Sequence, residues 1–320
     1  MSNLPPSFPA RFPPAFEERR RQDALVGKLP AFLAKPIHKQ IWRGVWKHHR
    51  HYPQDVSVEI ADSGCWQLQA GEHRFSSIPL EEALATLQAP QILLVATGPS
   101  ARSFDWAKAA SSKPLILGVN GAPTLLSEHA LQADALVITD RSFALTGIDH
   151  LTRAVASHAL LFLEPEAAAT LASRSPELLA QAKFTIIERV NRYYSLPARP
   201  WSQLAEEAEF FLHRERPEIG FSLNPLAGVF PGGTVAFAAL QLALSQQPDQ
   251  IDLVGLDLGG RGRAYQEAPD QAPASQLEIH LSNRIAPSFS LLPQSLANQP
   301  RIRLINHSPS CPLPRSYFQS

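Results

Sequence analysis

Short apolar runs alternate with longer segments of helical periodicity from residue 91 onward. The runs are rich in Val, Ile and Leu, which is typical of strands buried on both faces of a parallel sheet. They lie at 92–96, 115–119, 135–139, 160–163, 185–187, 251–255 and 303–306. Helices are predicted at 104–110, 123–132, 143–157, 166–181, 202–214, 234–245 and 277–284. This alternation predicts an α/β protein with a mostly parallel sheet and helices on both faces.

The amino-terminal part of the chain follows a different pattern. Residues 15–50 are basic and have helical periodicity, although two prolines interrupt them. Polar and apolar residues then alternate at 56–61 and 66–69, which predicts a small antiparallel β meander. We therefore predict two parts, a basic helical arm with the β meander at 1–90 and a sheet domain at 91–320.

Charge is distributed unevenly along the chain, although 29 basic and 29 acidic residues balance overall. Residues 1–51 contain ten lysines and arginines but three acids, and the remainder carries the opposite excess. A basic arm on a mildly acidic body predicts an anionic partner, such as an anionic glycan or a membrane surface contacted by residues 15–51. The alternative is that the arm is only a solvated helical face.

The cellular compartment is indicated by the cysteines and by the amino terminus. The two cysteines, Cys65 and Cys311, are far apart and have no metal-ligand spacing, which is typical of a reducing compartment. The amino terminus lacks the apolar core of a signal peptide, and no apolar run approaches the ~20 residues of a membrane-spanning helix. We expect a cytoplasmic protein that contacts the inner membrane peripherally.

The most distinctive candidate for a ligand-binding loop is Thr97-Gly98-Pro99-Ser100, which follows the first strand of the predicted sheet. Open α/β sheets bind ligands at the carboxyl ends of their strands, where this loop lies. A glycine lets the backbone approach a ligand closely, and Ser100 is suited to bind a phosphate or the free N–H groups of the next helix. The motif matches neither a Walker loop nor Gly-x-Gly-x-x-Gly. Its structural alternative is an ordinary strand-to-helix turn.

Polar residues also end the next two strands. Asn120 has both a donor and an acceptor, which suits the edge of a pyrimidine base or a ribose, although Asn-Gly also favours turns. Asp140 is placed to hold a sugar hydroxyl, or else to cap the following helix.

Two further turns rich in glycine follow in the second half of the chain. The first contains Gly232, Gly233 and Thr234, and the second contains Asp257, with Tyr265 close behind. Exposed N–H groups at such turns favour an anion. Together with the Gly-Pro-Ser loop, they predict a pocket for a phosphate-bearing ligand.

The order of these motifs resembles that of the bacterial sialyltransferases of glycosyltransferase family 42. It is also similar to the broader DUF115 superfamily, which includes flagellin-modifying glycosyltransferases and an archaeal pterin pyrophosphokinase. The similarity covers about residues 91–307 and lies in Gly98-Pro99-Ser100, Asn120, the Gly-Gly-Thr turn and Gly-Leu-Asp at 255–257. It implies a Rossmann-like fold that binds a cytidine nucleotide.

The resemblance also implies roles for individual residues in donor binding. Gly98, Pro99, Ser100 and Asn120 would contact the CMP part of a CMP-sugar, and Gly232 and Gly233 would lie near the ribose or base. The family has Ser-Gly where this chain has the glycine pair, so the hydroxyl contact is lost or supplied by Thr234. The basic first 90 residues have no counterpart in the sialyltransferases.

The predicted catalytic residues are His280, Asp257 and Tyr265. By the resemblance, Tyr265 would steady the leaving phosphate, and His280 would take a proton from the acceptor hydroxyl. A histidine suits this role because its pKa lies near neutrality. The alternative for His280 is a surface position on an amphipathic helix. No sequence motif indicates a metal site, so we expect a metal-independent reaction with no cofactor beyond the CMP-sugar donor.

The function predicted from these features is transfer of a CMP-activated 2-keto sugar onto a cell-envelope glycan such as lipopolysaccharide core. The sugar would be Kdo or a sialic-acid-like sugar, and no nucleic-acid partner is expected. One alternative is an ATP-dependent pyrophosphokinase of the pterin type. Another is a non-catalytic module whose loops are only turns and whose arm binds anionic glycan or nucleic acid.

Overall fold

The computed structural model describes residues 37, 40–41, 53, 55–61, 63–194, 196, 198–259, 262–265, 277–297 and 299–318. Almost all of the predicted basic arm at 15–51 lies outside the described residues, and so does part of the turn that follows Asp257.

The first described sheet is small and antiparallel. It contains β1 (Val56–Ile60), β2 (Trp66–Ala70) and β3 (His73–Ser76), in that order. Alternate residues on one face are buried, because each strand has the two-residue period of a half-buried sheet. This confirms the predicted meander.

The remaining elements begin at Leu80. The helices are α1 (Leu80–Ala85), α2 (Trp106–Ser112), α3 (Ala122–Glu128), α4 (Arg141–Thr146), α5 (Ile148–Ala156), α6 (Pro165–Arg174), α7 (Pro176–Gln181), α8 (Trp201–Leu204), α9 (Val235–Ser245), α10 (Leu277–His280), α11 (Ala286–Phe289) and α12 (Leu292–Ala297). The strands are β4 (Gln91–Val95), β5 (Leu115–Val119), β6 (Ala135–Ile138), β7 (Leu160–Leu163), β8 (Phe184–Ile186), β9 (Phe210–Leu212), β10 (Gly220–Ser222), β11 (Gln250–Val254) and β12 (Arg303–Asn306).

Seven parallel strands form the main sheet in the order β12-β11-β4-β5-β6-β7-β8. The predicted fold class, a Rossmann-like parallel sheet with helices on both faces, is confirmed. From β4 the chain builds outward to β8 on one side, whereas β11 and β12 lie on the other side of β4. The order therefore reverses between β4 and β11, and a reversal of this kind opens a crevice at the carboxyl ends of the two strands.

The core consists of two apolar layers, one on each face of the main sheet. On one face, α9 packs against β4, β5 and β6, and its residues from Ala236 to Leu244 are all buried. A helix that is apolar on every side requires burial of this kind. On the other face, the small sheet packs through β1 and β2 on α6 and shares the core of the main sheet.

Four predicted helices differ from the observed structure. The segment at 143–157 is two helices that meet at Gly147, and the segment at 166–181 is broken before Pro176, whose ring cannot continue a helix. The prediction at 202–214 is wrong, because only Trp201–Leu204 is helical and β9 follows it. The segment at 277–284 leaves the α-helix after His280 and continues as a π turn at Leu281–Ile285.

Candidate functional site

The Gly-Pro-Ser loop lies at the point where the strand order reverses. Gly98 follows β4, and its N–H donates to the carbonyl of Gly255, which follows β11, at 2.9 Å. A Cβ at Gly98 would lie 2.8 Å from Cγ of Asp257 and would overlap one of its carboxylate oxygens. The two loops approach so closely because residue 98 has no side chain.

Asp257 fixes the conformation of this loop. One oxygen of its buried carboxylate accepts from the backbone N–H of Ser100 at 3.0 Å and from the Ser100 hydroxyl at 2.8 Å. The hydroxyl has one hydrogen, and here it is donated to Asp257. Ser100 Oγ can therefore accept a hydrogen bond from a ligand but has no hydrogen left to donate.

Asn120 ends β5 beside this loop in an unusual conformation. Its φ is +48°, a left-handed value that residues other than glycine seldom adopt. Its side-chain oxygen is buried and has no hydrogen-bond partner within the described part of the chain. Buried acceptors are nearly always hydrogen-bonded in folded proteins.

Tyr265 covers the end of β5. Its ring lies against Gly121, where a Cβ would come within 2.6 Å of the tyrosine Cζ, and it makes an edge-on contact with His150 at 4.9 Å. The segment is held in place because the N–H of Ala264 donates to the carbonyl of Thr97, and Nε of Arg102 donates to the carbonyl of Ala264. The structure thus brings Gly98, Ser100, Asn120, Asp257 and Tyr265 together at one edge of the sheet.

His150 also lines this region, although the sequence pattern did not single it out. Its Nδ1 lies 2.6 Å from Oγ1 of Thr124 on α3, and its ring stacks on Phe143. A histidine within an ordinary amphipathic helix carries no signal that distinguishes it from a surface position.

Asp140 is the N-cap residue of α4. One carboxylate oxygen accepts from the Ser142 N–H at 2.7 Å, and the other accepts from the Ser142 hydroxyl at 2.9 Å. This is the capping role that the sequence left open beside a sugar contact.

The Gly232-Gly233 turn packs against α9 and the π turn before α11. Both glycines have positive φ, and a Cβ at Gly232 would overlap the ring of Phe237 on α9. A Cβ at Gly233 would lie 2.9 Å from Ile285 and 3.2 Å from the stem of Arg284. Thr234 is the N-cap position of α9 but makes no side-chain capping bond.

His280 ends α10 and is half-buried. Its ring makes no hydrogen bond with any other residue that the structure describes. It belongs to the same segment as Arg284 and Ile285, which contact Gly233, and this segment is anchored where Arg216 donates to the carbonyl of Asn283 at 2.7 Å.

A charged cluster at the ends of β7 and β8 was not anticipated from the sequence. Arg189 donates through Nε to both carboxylate oxygens of Glu164, at 3.1 Å each, and through Nη2 at 2.8 Å. Nearby, burial raises the pKa of Glu166 to about 7 against the opposing charge of Arg189. Groups with such shifted pKa values concentrate at functional sites.

Among the described residues, no three His, Cys, Asp or Glu side chains come together in a way that could hold a metal ion. Within the same part of the chain, none of the helices has the length and apolar character needed to cross a membrane.

Comparison with known proteins gives a distant likeness to a solved structure. No family model matches the chain, and no curated protein sequence does. Among solved structures, the chain is similar to the MAf glycosyltransferase from Magnetospirillum magneticum AMB-1, with 15% sequence identity and a TM-score of 0.39. The match covers 70% of this chain and 32% of that one, so the chain spans about a third of that structure's length. A likeness of this strength does not identify an activity.

Proposed function

We propose that the chain is a glycosyltransferase that binds a nucleotide-activated sugar in the crevice between the ends of β4 and β11. The observation that carries this proposal is Asn120, whose buried side-chain oxygen has no partner within the described residues and whose backbone is held at positive φ. Strained residues of this kind cluster at ligand sites, where the surrounding structure maintains them.

A nucleoside would supply the partner that Asn120 lacks. A buried acceptor without a hydrogen bond costs about 1–3 kcal/mol. The amino group of a cytosine or a hydroxyl of the ribose would donate to this oxygen and remove the cost. Either group is neutral, so it enters the crevice without the penalty of burying a charge.

Ser100 contributes an acceptor to the same ligand. Its hydroxyl hydrogen is directed to Asp257, so the group it meets must be a donor, such as a ribose hydroxyl, and not a phosphate oxygen. In this proposal Asp257 is a positioning residue that holds the Gly98-Ser100 loop in its binding conformation.

We propose CMP as the nucleotide and a 2-keto sugar as the transferred group, on the strength of the motif order that resembles family 42 sialyltransferases. An acceptor hydroxyl attacks the anomeric carbon, the bond from that carbon to the phosphate oxygen breaks, and CMP leaves. His280 accepts the hydroxyl proton, and Tyr265 stabilises the leaving phosphate. The acceptor would be a cell-envelope glycan such as lipopolysaccharide core, reached at the inner membrane surface.

A transfer assay tests this function. The full chain is incubated with CMP-Kdo or CMP-sialic acid and a core glycan acceptor, and both CMP release and the mass of the glycan are measured. A general base contributes ~10²–10⁴-fold to the rate, so His280→Ala should lower kcat by at least ~100-fold. His73→Ala is the matched control, because His73 is an exposed histidine on the small sheet. Sugar transfer by His280→Ala at the wild-type rate would contradict the proposed mechanism, and no consumption of either donor would contradict the proposed function.

A further inference from the structure

Four arginines converge near the carboxyl ends of β6, β7 and β8. They come from separate elements: the first turn of α4, the chain that follows β8, and the π turn before α11. The arginines and the two glutamates among them are Arg141, Arg189, Arg192, Arg284, Glu164 and Glu166.

The arginines are held in place by backbone and packing contacts. Arg189 and Arg192 pair in an isolated antiparallel bridge, and Arg189 also forms a parallel bridge with Val229. The stem of Arg284 packs over Gly233, where a Cβ would lie 3.2 Å away. The backbone that carries Arg189 and Arg192 is therefore fixed by these bridges, and the stem of Arg284 by its contact with Gly233.

Only one of the four arginines is neutralised by a direct ion pair. Arg189 binds Glu164 through two nitrogens, as described above. The side chains of Arg141, Arg192 and Arg284 make no hydrogen bond or ion pair within the described residues.

The unpaired arginines nevertheless lie close to other charges. Arg192 is largely exposed, but partial desolvation and the positive charges of Arg189 and Arg284 lower its pKa. Glu166 lies within the field of Arg189, Arg141 and Arg192 but makes no side-chain hydrogen bond to another described residue. Cations held together in this way repel one another, and an anion placed among them would relieve the repulsion.

We propose that Arg141, Arg192 and Arg284 form a subsite for a phosphate group on a second ligand. With both glutamates ionised, the four arginines leave an excess of two positive charges, which a phosphate dianion matches and a carboxylate does not. Guanidinium groups are also the side chains best suited to bind phosphate oxygens, since they offer several donors in one plane.

The position of the cluster separates this phosphate from the nucleotide. Neighbouring strands are ~4.8 Å apart, so β6 and β8, which precede Arg141 and Arg192, lie two and four strands, or ~10 and ~19 Å, from the Gly98-Ser100 loop at β4. A phosphate bound among the arginines is therefore not the phosphate of the nucleotide. We assign it to a second ligand, a phosphorylated glycan acceptor. The assignment to the acceptor rests on the proposed function, whereas the binding of phosphate does not.

Calorimetric titration of the full chain with inorganic phosphate tests the subsite. The double variant Arg192→Gln/Arg284→Gln should bind phosphate at least ~10-fold more weakly than the wild type, because charge-assisted hydrogen bonds are lost. The matched control is Arg153→Gln/Arg174→Gln, which removes two exposed arginines on α5 and α6 and should leave phosphate affinity unchanged. At pH 8, above the pKa of Glu166, which burial raises to about 7, Glu166→Gln removes the nearby negative charge and should tighten phosphate binding several-fold.

Two results would overturn the subsite: no phosphate binding by the wild type, or equal binding by the wild type and the Arg192→Gln/Arg284→Gln variant. Titration of the same proteins with CMP separates this outcome from failure of the proposed function. We expect the double variant to bind CMP as the wild type does, since Asn120 and Ser100 are unchanged and a glutamine at position 284 keeps the two carbons that pack on Gly233. Loss of CMP affinity in the double variant would place the arginines in the nucleotide site and contradict a separate subsite.

Discussion

At the scale of single residues, Glu188 makes the stability of the protein depend on pH. Burial raises the pKa of this carboxyl from 4.5 to about 8, although its hydrogen bond from the Tyr194 N–H acts in the opposite direction. The folded state therefore binds a proton that the unfolded state releases between these two pH values. The stability that this group contributes is fully present below about pH 4.5 and is lost as the pH rises through about 8.

We predict that Glu188→Gln flattens this dependence. The free energy of unfolding of the wild type should fall relative to that of the variant by up to about 1.4 kcal/mol per pH unit between the two values. Urea denaturation at pH 5, 6.5, 8 and 9 measures the difference. Glu128→Gln, at an exposed position on α3, is the control and should follow the wild type. Parallel curves for the wild type and Glu188→Gln would show that Glu188 is ionised in the folded protein.

Asn120 offers a separate prediction at the residue scale. Asn120→Gly removes both the left-handed strain and the buried unpaired oxygen, so we expect stability to rise by about 1 kcal/mol. The same change removes the proposed nucleoside contact and should weaken CMP binding at least ~10-fold. Thermal unfolding and CMP titration measure the two effects.

Lys113→Gly is the matched control for Asn120→Gly. Lys113 has a φ of +47° at the end of α2, so its replacement should stabilise the protein in a similar way but leave CMP affinity unchanged. Equal CMP affinity in the wild type, Asn120→Gly and Lys113→Gly would show that Asn120 does not contact the nucleotide.

The sequence indicated which residues lie at this edge of the sheet better than it indicated their hydrogen-bond partners. Gly98, Ser100 and Asn120 stand out because they follow apolar strands, and parallel strands bring their carboxyl ends to one edge. The bond from the Ser100 hydroxyl to Asp257 joins residues 157 positions apart, so no local pattern encodes it. The sequence also gives no indication that the side-chain oxygen of Asn120 lacks a partner, because this depends on which groups the folded chain places near it.

At the scale of secondary-structure elements, Gln241 joins α9 to the chain before it. This fully buried side chain accepts from the N–H groups of Ser222 at 3.0 Å and Phe230 at 2.9 Å, and it donates to the Phe230 carbonyl at 2.8 Å. It therefore satisfies backbone groups of β10 and of the segment leading to the Gly232-Gly233 turn.

We predict that Gln241→Leu lowers the free energy of unfolding by more than about 3 kcal/mol, because it leaves three buried backbone groups without partners at about 1–3 kcal/mol each. Urea denaturation measures the loss. Gln132→Leu, at an exposed position after α3, should change stability by less than about 0.5 kcal/mol. A loss below about 1 kcal/mol in Gln241→Leu would mean that water or a rearranged backbone replaces these bonds.

The predicted secondary-structure elements are correct where a whole segment is buried, and they are wrong where contacts between distant segments determine the structure. The strands of the main sheet are confirmed to within one residue, because continuous apolar runs bounded by turns have few alternatives. Residues 202–214 also have a helical pattern, but Phe211 pairs with Phe221 of β10 and forms a strand. Pairing between distant segments overrides local helix propensity there.

At the scale of the whole molecule, the strand order determines where the proposed ligand sites lie. The pattern of apolar runs predicted parallel strands, but it contained no information on which strand lies next to which. The placement of β11 beside β4 creates the reversal of strand order at which open α/β sheets bind ligands, and it also brings Asp257 to Ser100. The arginine cluster has the same origin, since residues 141, 192 and 284 are separated by long stretches of chain and meet only in the folded sheet.

Calorimetric titration of the wild-type chain with CMP, AMP and NAD measures most directly whether the proposed site between β4 and β11 binds a cytidine nucleotide. We predict that CMP binds at least ~10-fold more tightly than AMP or NAD, because the motif order resembles that of CMP-sugar transferases and the cytosine amino group would donate to the buried oxygen of Asn120. An affinity for CMP no greater than that for AMP or NAD, or no binding of CMP at all, would contradict it.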